Sequence, residues 1–324
     1  MWIRKNRGWE LKDSALTPEH VFRNRRRFLM GAAGAAFAPM LLACEKKAAA
    51  ESDMTPDPSA GLYPVKRNEK YTIDRDLTAE GDATTYNNYY EFGTSKDISA
   101  AAQALPIRPW AITIDGLVDK PQTIDFDDLL KQMALEERNY RHRCVEAWSM
   151  AVPWSGFPLA DLVKLAQPQS GAKFLRFESF MNAEVAPGQD DPIYPWPYIE
   201  GLTLAEATNE LAFVVTGIYG KALPKQNGAP FRIALPWKYG FKSAKGIQRI
   251  TFTDEQPVGL WQALQSSEYG FYANVNPAFS HPRWSQESER VLGSGERVPT
   301  QLFNGYGEYV AGLYPDLNDR NFFY

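Results

Sequence analysis

Arg141-His142-Arg143-Cys144-Val145-Glu146-Ala147-Trp148 holds the single cysteine that remains once an N-terminal leader is set aside, and three basic side chains precede it. Successive residues of an extended segment face opposite ways, so Arg141 and Arg143 share one side and His142 and Cys144 the other. The arginines could then support an anionic group or an acidic partner without covering the sulfur. Nearby positive charge also favours thiolate over thiol. Cys144 has three readings: a buried inert thiol, a nucleophile paired with His142 or His281, or a soft ligand to a transition metal.

The other cysteine, Cys44, closes the leader. Asn24-Arg25-Arg26-Arg27-Phe28-Leu29 is a twin-arginine signal, which implies the twin-arginine (Tat) export machinery as a partner, export of an already folded protein and a periplasmic destination. The apolar run Phe28 to Ala43 has sixteen residues, short of the roughly 20 that a membrane-spanning helix needs. Leu41-Leu42-Ala43-Cys44 resembles a lipobox, which would leave Cys44 lipidated at the mature N-terminus. Ala48-Ala49-Ala50 offers an ordinary cleavage site instead, as late as residue 50. The organisation expected is a leader over residues 1–43, a linker over 44–70 rich in Ala, Pro, Lys and acids, and a folded catalytic domain over 71–324.

Eight of the 35 Lys and Arg and three of the 39 Asp and Glu lie in the leader, so the remainder carries 27 against 36, a net charge of −9. That balance excludes a nucleic-acid binder. One thiol allows no internal disulfide and no chemistry that relies on a resolving cysteine, so stability must come from a core that nine Trp, sixteen Tyr and eighteen Phe can supply.

The pattern of elements is α+β with mixed sheets. Trp110 to Ile114 alternates as a strand and stops at the turn signal Asp115-Gly116. Asp125 to Leu130 starts a helix with acids in its first turn, and Pro158 to Ala166 is a second helix with proline at its start. Lys173 to Ser179, Leu211 to Thr216, Phe231 to Leu235 and Gly246 to Thr253 read as strands, and Leu204 to Thr208 as a short helix. There are no repeats and no strand–helix–strand alternation of the kind that builds a doubly wound sheet. Residues 255–324 read as long packed loops.

Nucleotide-binding and zincin motifs are absent, and three histidines make a His/Cys zinc site untenable. Lys238 to Gly246 is a basic, glycine-punctuated loop that could cradle a phosphate or simply be solvated, with Arg232 on the strand leading into it. Tyr86-Asn87-Asn88-Tyr89-Tyr90-Glu91-Phe92-Gly93 is dense in hydrogen-bonding groups; in a helix Asn87, Tyr90 and Glu91 would share a face.

Residues 86–93, Tyr140 to Met150, Tyr219 to Pro224, Gln226 to Pro230, Pro236 to Lys242, Tyr269 to Pro277 and His281 to Trp284 occur in an order and wording that together resemble the catalytic subunits of periplasmic protein-methionine-sulfoxide reductases. These are molybdopterin enzymes with the sulfite-oxidase fold, and the resemblance spans essentially the whole mature chain. It implies one molybdenum held by Cys144 and by one pyranopterin. It further implies that Asn87, Tyr90, Glu91, Ser179, Asn227, Arg232, Ser243, Ala244 and Lys245 bind the pterin and its phosphate, and that Asn88 and Glu146 lie near the metal, Glu146 as a proton-handling group. The family usually has threonine at the position of Ser179 and glycine at that of Ser243, so a backbone contact is expected from Ser243. His142 is not basic in every relative.

The implied reaction removes an oxygen atom from oxidised methionine in envelope proteins. Two electrons arrive singly, through a heme-binding membrane subunit fed by the respiratory chain. The chain has no C-x-x-C-H heme attachment and no iron–sulfur cysteines. The rival readings are a sulfite dehydrogenase of the same fold, a periplasmic Cys–His acyl transferase and a non-catalytic lipoprotein.

Overall fold

The computed structural model describes residues 57–316 and 318–323; the twin-arginine leader, Cys44 and the first part of the expected linker lie outside the described residues. Twelve strands form two mixed sheets among those residues. In the smaller sheet, β1 (Ala111–Gly116) pairs antiparallel with β2 (Gln122–Asp125) and parallel with β10 (Ile247–Thr253). β10 continues antiparallel to β5 (Phe174–Ser179), and β5 to β6 (Ile199–Thr203). β5 alternates as expected: Leu175, Phe177 and Ser179 are buried while Phe174, Arg176 and Glu178 are half-covered.

The larger sheet is built on β3 (Glu136–Cys144) and β4 (Trp148–Pro158), which run antiparallel over nine paired positions from Glu136–Gly156 to Cys144–Trp148. β4 also pairs with β7 (Phe213–Ile218) and, at Trp148 and Ser149, with β11 (Ser288–Val291). β8 (Lys221–Ala222) and β9 (Arg232–Ala234) extend β7, and β12 (Arg297–Pro299) extends β11.

The helices at Phe126–Leu130, Leu159–Ala166 and Leu204–Ala207 stand where the sequence places them. Asp125 caps the first by accepting from Asp127 N–H, and Thr203 with Glu206 forms a capping box on the third. Residues 255–324 are mostly irregular, but β11 and β12 within them join the large sheet.

Several local expectations change. Residues 57–70 are packed on the domain rather than free as linker: the Tyr63 hydroxyl donates to Thr216 O at 2.8 Å, and Arg67 pairs with Glu137 at 2.6 Å. Residues 87–91 form a turn after the helix Glu80–Thr85, not a helix of their own. The Lys238 to Gly246 loop is not solvated. Lys238 is buried against Glu206 and Lys242 against Glu200, both at 2.5 Å. Replacing Glu206 by Leu strands the Lys238 ammonium, and we expect it to lower the free energy of unfolding by about 3 kcal/mol or more. Denaturant unfolding showing a loss below about 1 kcal/mol would contradict this.

Candidate active site

Cys144 ends β3 and opens a three-residue hairpin loop, Val145-Glu146-Ala147. Ala147 sits in the left-handed region at φ 59°, a conformation common in such loops. The loop is gripped from several sides. Cys144 O accepts from Ala147 N–H at 3.1 Å and from the Arg143 guanidinium. Val145 O accepts from Trp284 Nε1 at 2.7 Å and Gln286 Nε2 at 2.8 Å. Arg143, wholly buried, also donates to Glu289 Oε2 at 2.8 Å and Gln286 Oε1 at 2.9 Å. Sequence reading assigned no role to Gln286 or Glu289, because a contact made across roughly 140 residues leaves no local signal.

The arginines flanking Cys144 are therefore not available to an anion. Arg143 is neutralised by Glu289, and Arg141 pairs with Asp74 and donates to Asn304 O. The thiol follows the same logic. Burial, then the Glu146 charge, push it up to about 12, and Lys96 and Arg143 offset only part of that. The sulfur faces two weak donors, Glu146 N–H at 3.5 Å and Asn88 Nδ2 at 3.7 Å.

Cys144 lies on a cavity that also takes in Asn87, Tyr90, Glu91, Glu146, Arg232 and Lys245, with Asn88 and His142 beside them. Ser179, Asn227, Ser243 and Ala244 stand outside its lining. Ser179 Oγ donates to Glu91 Oε1 at 3.0 Å, while the carbonyls of Asn227 and Ser243 accept from Arg232 at 3.2 and 3.4 Å. These residues orient the lining side chains. The Ser243 and Ala244 N–H groups donate within their own loop, to Gly240 O at 3.1 Å and Lys242 O at 3.2 Å. Gly240 lets that loop approach His142, since a Cβ there would fall 2.6 Å from the imidazole.

The cavity concentrates positive charge. Burial, then Arg232, hold Lys245 down at about 8; burial holds Arg232 down at about 10; burial and both cations hold His142 well below its usual range. Glu91 is shifted up by burial in spite of Lys245. With Glu146 paired to Lys96, Glu91 alone faces the buried Arg232 and the half-buried Lys245, an arrangement suited to an anion. Around it, Asn87 Oδ1, Asn88 Oδ1, Asn227 Oδ1 and Ser243 Oγ are buried without hydrogen-bond partners. A cofactor that brings N–H donors and a phosphate, and whose metal needs one thiolate, fits this set of residues. Among the described residues no three His, Cys, Asp or Glu gather as a metal site. His281 is not paired with Cys144; it stacks on Trp284 at 3.8 Å and faces Glu268 at 3.4 Å, on a separate small cavity.

Known proteins agree with this chemistry. Residues 100–261 match the oxidoreductase molybdopterin binding domain, and the class is thereby a molybdopterin-binding oxidoreductase. The chain is 44% identical over 336 residues to the protein-methionine-sulfoxide reductase catalytic subunit MsrP of Ralstonia nicotianae, covering 99% of this chain and 98% of that one. It is 46% identical over 321 residues to the MsrP of Burkholderia mallei, covering 98% and 96%. The chain belongs to the MsrP family of protein-methionine-sulfoxide reductase catalytic subunits. Among solved structures, the sulfane dehydrogenase SoxCD of Paracoccus pantotrophus aligns with a TM-score of 0.41 at 18% identity, over 59% of this chain and 51% of that chain.

A thiol raised to about 12 stays protonated near neutrality, so alkylation of Cys144 in metal-free protein should be slow at pH 8. Its rate should still climb about tenfold per pH unit between pH 8 and 10, because only thiolate reacts. Mass spectrometry showing a rate that is half-maximal near about pH 8.5 and levels off by about pH 9.5 would mean that the thiol is unperturbed.

Proposed function

We propose that this protein reduces methionine sulfoxide in other exported proteins, with molybdenum bound through Cys144 and one pyranopterin. The observation that carries the proposal is the buried Cys144 sulfur on a cavity rich in cations and unsatisfied acceptors, in a chain of the MsrP family. When bound, the molybdopterin supplies a centre that exchanges an oxygen atom with a two-electron change.

The chain's own residues divide the remaining work. Asn87, Tyr90, Glu91 and the Arg232–Lys245 pair would hold the pterin and its phosphate. Ser179, Asn227, Ser243 and Ala244 would support them from behind. Asn88 and the Glu146 N–H, both facing the sulfur, would steady the thiolate once the metal replaces its proton. Glu146 is partly exposed and paired with Lys96 at 2.6 Å, a position from which a carboxyl can hold a proton for the departing oxygen.

Electrons would come singly from a heme-binding membrane partner supplied by the respiratory chain. The twin-arginine leader would deliver the protein to the periplasm already loaded. Folded export suits this site, whose residues come from segments between Asn87 and Lys245 and meet only when the domain has folded. A sulfite dehydrogenase reading is less well supported. Glu146 is paired with Lys96, and the wall across the cavity is aromatic, surroundings that suit a neutral sulfoxide better than a sulfite dianion.

Two outcomes test the proposal. Cys144→Ala should abolish molybdenum content by elemental analysis while leaving a folded protein; stoichiometric metal in that variant would remove Cys144 from the ligand role. With a reduced viologen dye as donor, the metal-loaded wild type should turn over methionine sulfoxide, and with an oxidised dye it should leave sulfite essentially untouched. The reverse preference would overturn the reading.

A further inference from the structure

The mechanism above uses the polar half of the cavity and, apart from Tyr90, leaves the aromatic half without a role. That half is a continuous set of rings centred on Trp261, which lies on the short helix Leu260–Leu264. Trp261 meets Tyr90 edge-on at 4.8 Å and Tyr269 at 5.3 Å, both of which line the cavity. The array then leaves the cavity. Trp261 and Tyr90 contact Tyr194 at 6.1 and 5.7 Å, and Tyr194 contacts Trp196 at 5.5 Å. Tyr194 and Trp196 belong to the surface loop 191–198, whose neighbouring Ile193 is 67% exposed.

We infer that Trp261 is the specificity-determining residue for the sulfoxide-bearing side chain, and that Tyr194 and Trp196 extend its surface to the polypeptide that carries it. This rests on the functional reading above. A methionine sulfoxide side chain has a polar S–O group and an apolar remainder, a methyl and two methylenes. The two halves of the cavity match those parts. Asn88, Glu146 and the Cys144 sulfur lie on the polar side, while the half-buried Trp261 indole supplies apolar ring surface on the lining for the methyl and methylenes. Covering the methyl and two methylenes removes apolar surface from water, which adds up to roughly tenfold or more in binding. The array also explains why the apolar surface does not end at the cavity: residues flanking the oxidised methionine need a place to lie, and the Tyr194–Trp196 loop continues outward from Trp261.

The test uses the metal-loaded enzyme with a dye donor, and compares free methionine sulfoxide with a short peptide bearing it. Trp261→Ala should raise KM at least about tenfold for both substrates, with unchanged molybdenum content and an unchanged Mo(V) paramagnetic resonance signal. Trp261→Phe should recover most of the loss, which separates ring contact from a folding defect. Trp196→Ala should raise KM for the peptide at least about fivefold more than for the free amino acid. An unmoved KM in Trp261→Ala, or molybdenum loss that accounts for its defect, would overturn the inference while leaving the sulfoxide reductase reading intact. Equal effects of Trp196→Ala on both substrates would overturn its extension to the loop. If wild-type enzyme reduces neither substrate, the functional reading itself fails and the inference with it.

Discussion

The site depends on the Arg143 guanidinium, which is completely buried and donates to Glu289, Gln286, Thr300 and the carbonyl of Cys144. A planar fork of donors fixes where its acceptors must lie, and a buried charge of this kind is tolerated only while its partners stay in place. Gln286 in turn donates to Val145 O, as Trp284 does. The loop that carries the sulfur is thus clamped by a segment roughly 140 residues further along the chain. The position of Cys144 is a property of the whole domain rather than of the hairpin.

Two pairs of cations withdrawn from solvent occupy neighbouring places and behave differently. Lys238 and Lys242 each meet a buried glutamate, Glu206 and Glu200, and hold the 238–246 loop against the protein. Arg232 and Lys245 share only Glu91, and all three are shifted toward their neutral forms. The first pair stabilises the loop; the second leaves positive charge facing a cavity. The distinction is invisible in a string of lysines, because it depends on which carboxylates the fold brings near each ammonium.

The same reasoning reverses the expectation for Cys144. Three basic residues in a row suggest an activated thiolate, yet Arg143 is spent on Glu289, Arg141 on Asp74, and burial outweighs the partial opposition of the Glu146 N–H, Lys96 and Arg143. Among the described residues the sulfur's hydrogen-bond partners are Asn88 and the Glu146 N–H rather than a histidine, and the thiol is protonated; both argue against a nucleophile and suit a metal ligand.

Elements with a local signal were legible from residues alone: the alternation of Lys173 to Ser179, the acidic first turn of the helix at Asp125 to Leu130 and the short helix starting at Leu204 all reappear in the fold. The motifs at residues 86–93, around Cys144 and around Lys238 also carried the family, and of the residues that the resemblance implied, Asn87, Tyr90, Glu91, Cys144, Glu146, Arg232 and Lys245 share one cavity. The two longest strands carried no such signal. Glu136 to Cys144 looks too charged for a sheet, and its charges are acceptable only because distant partners neutralise them. Trp148 to Phe157 is buried on both faces, so it shows no alternation, and it contains a proline and a glycine. Sequence thus determined the chemical inventory and the short-range elements, which depend on contacts within a few residues. Which cations are neutralised, how the cysteine loop is gripped and where the aromatic wall runs were decided by tertiary structure, since charge compensation and packing act between groups that only folding brings together.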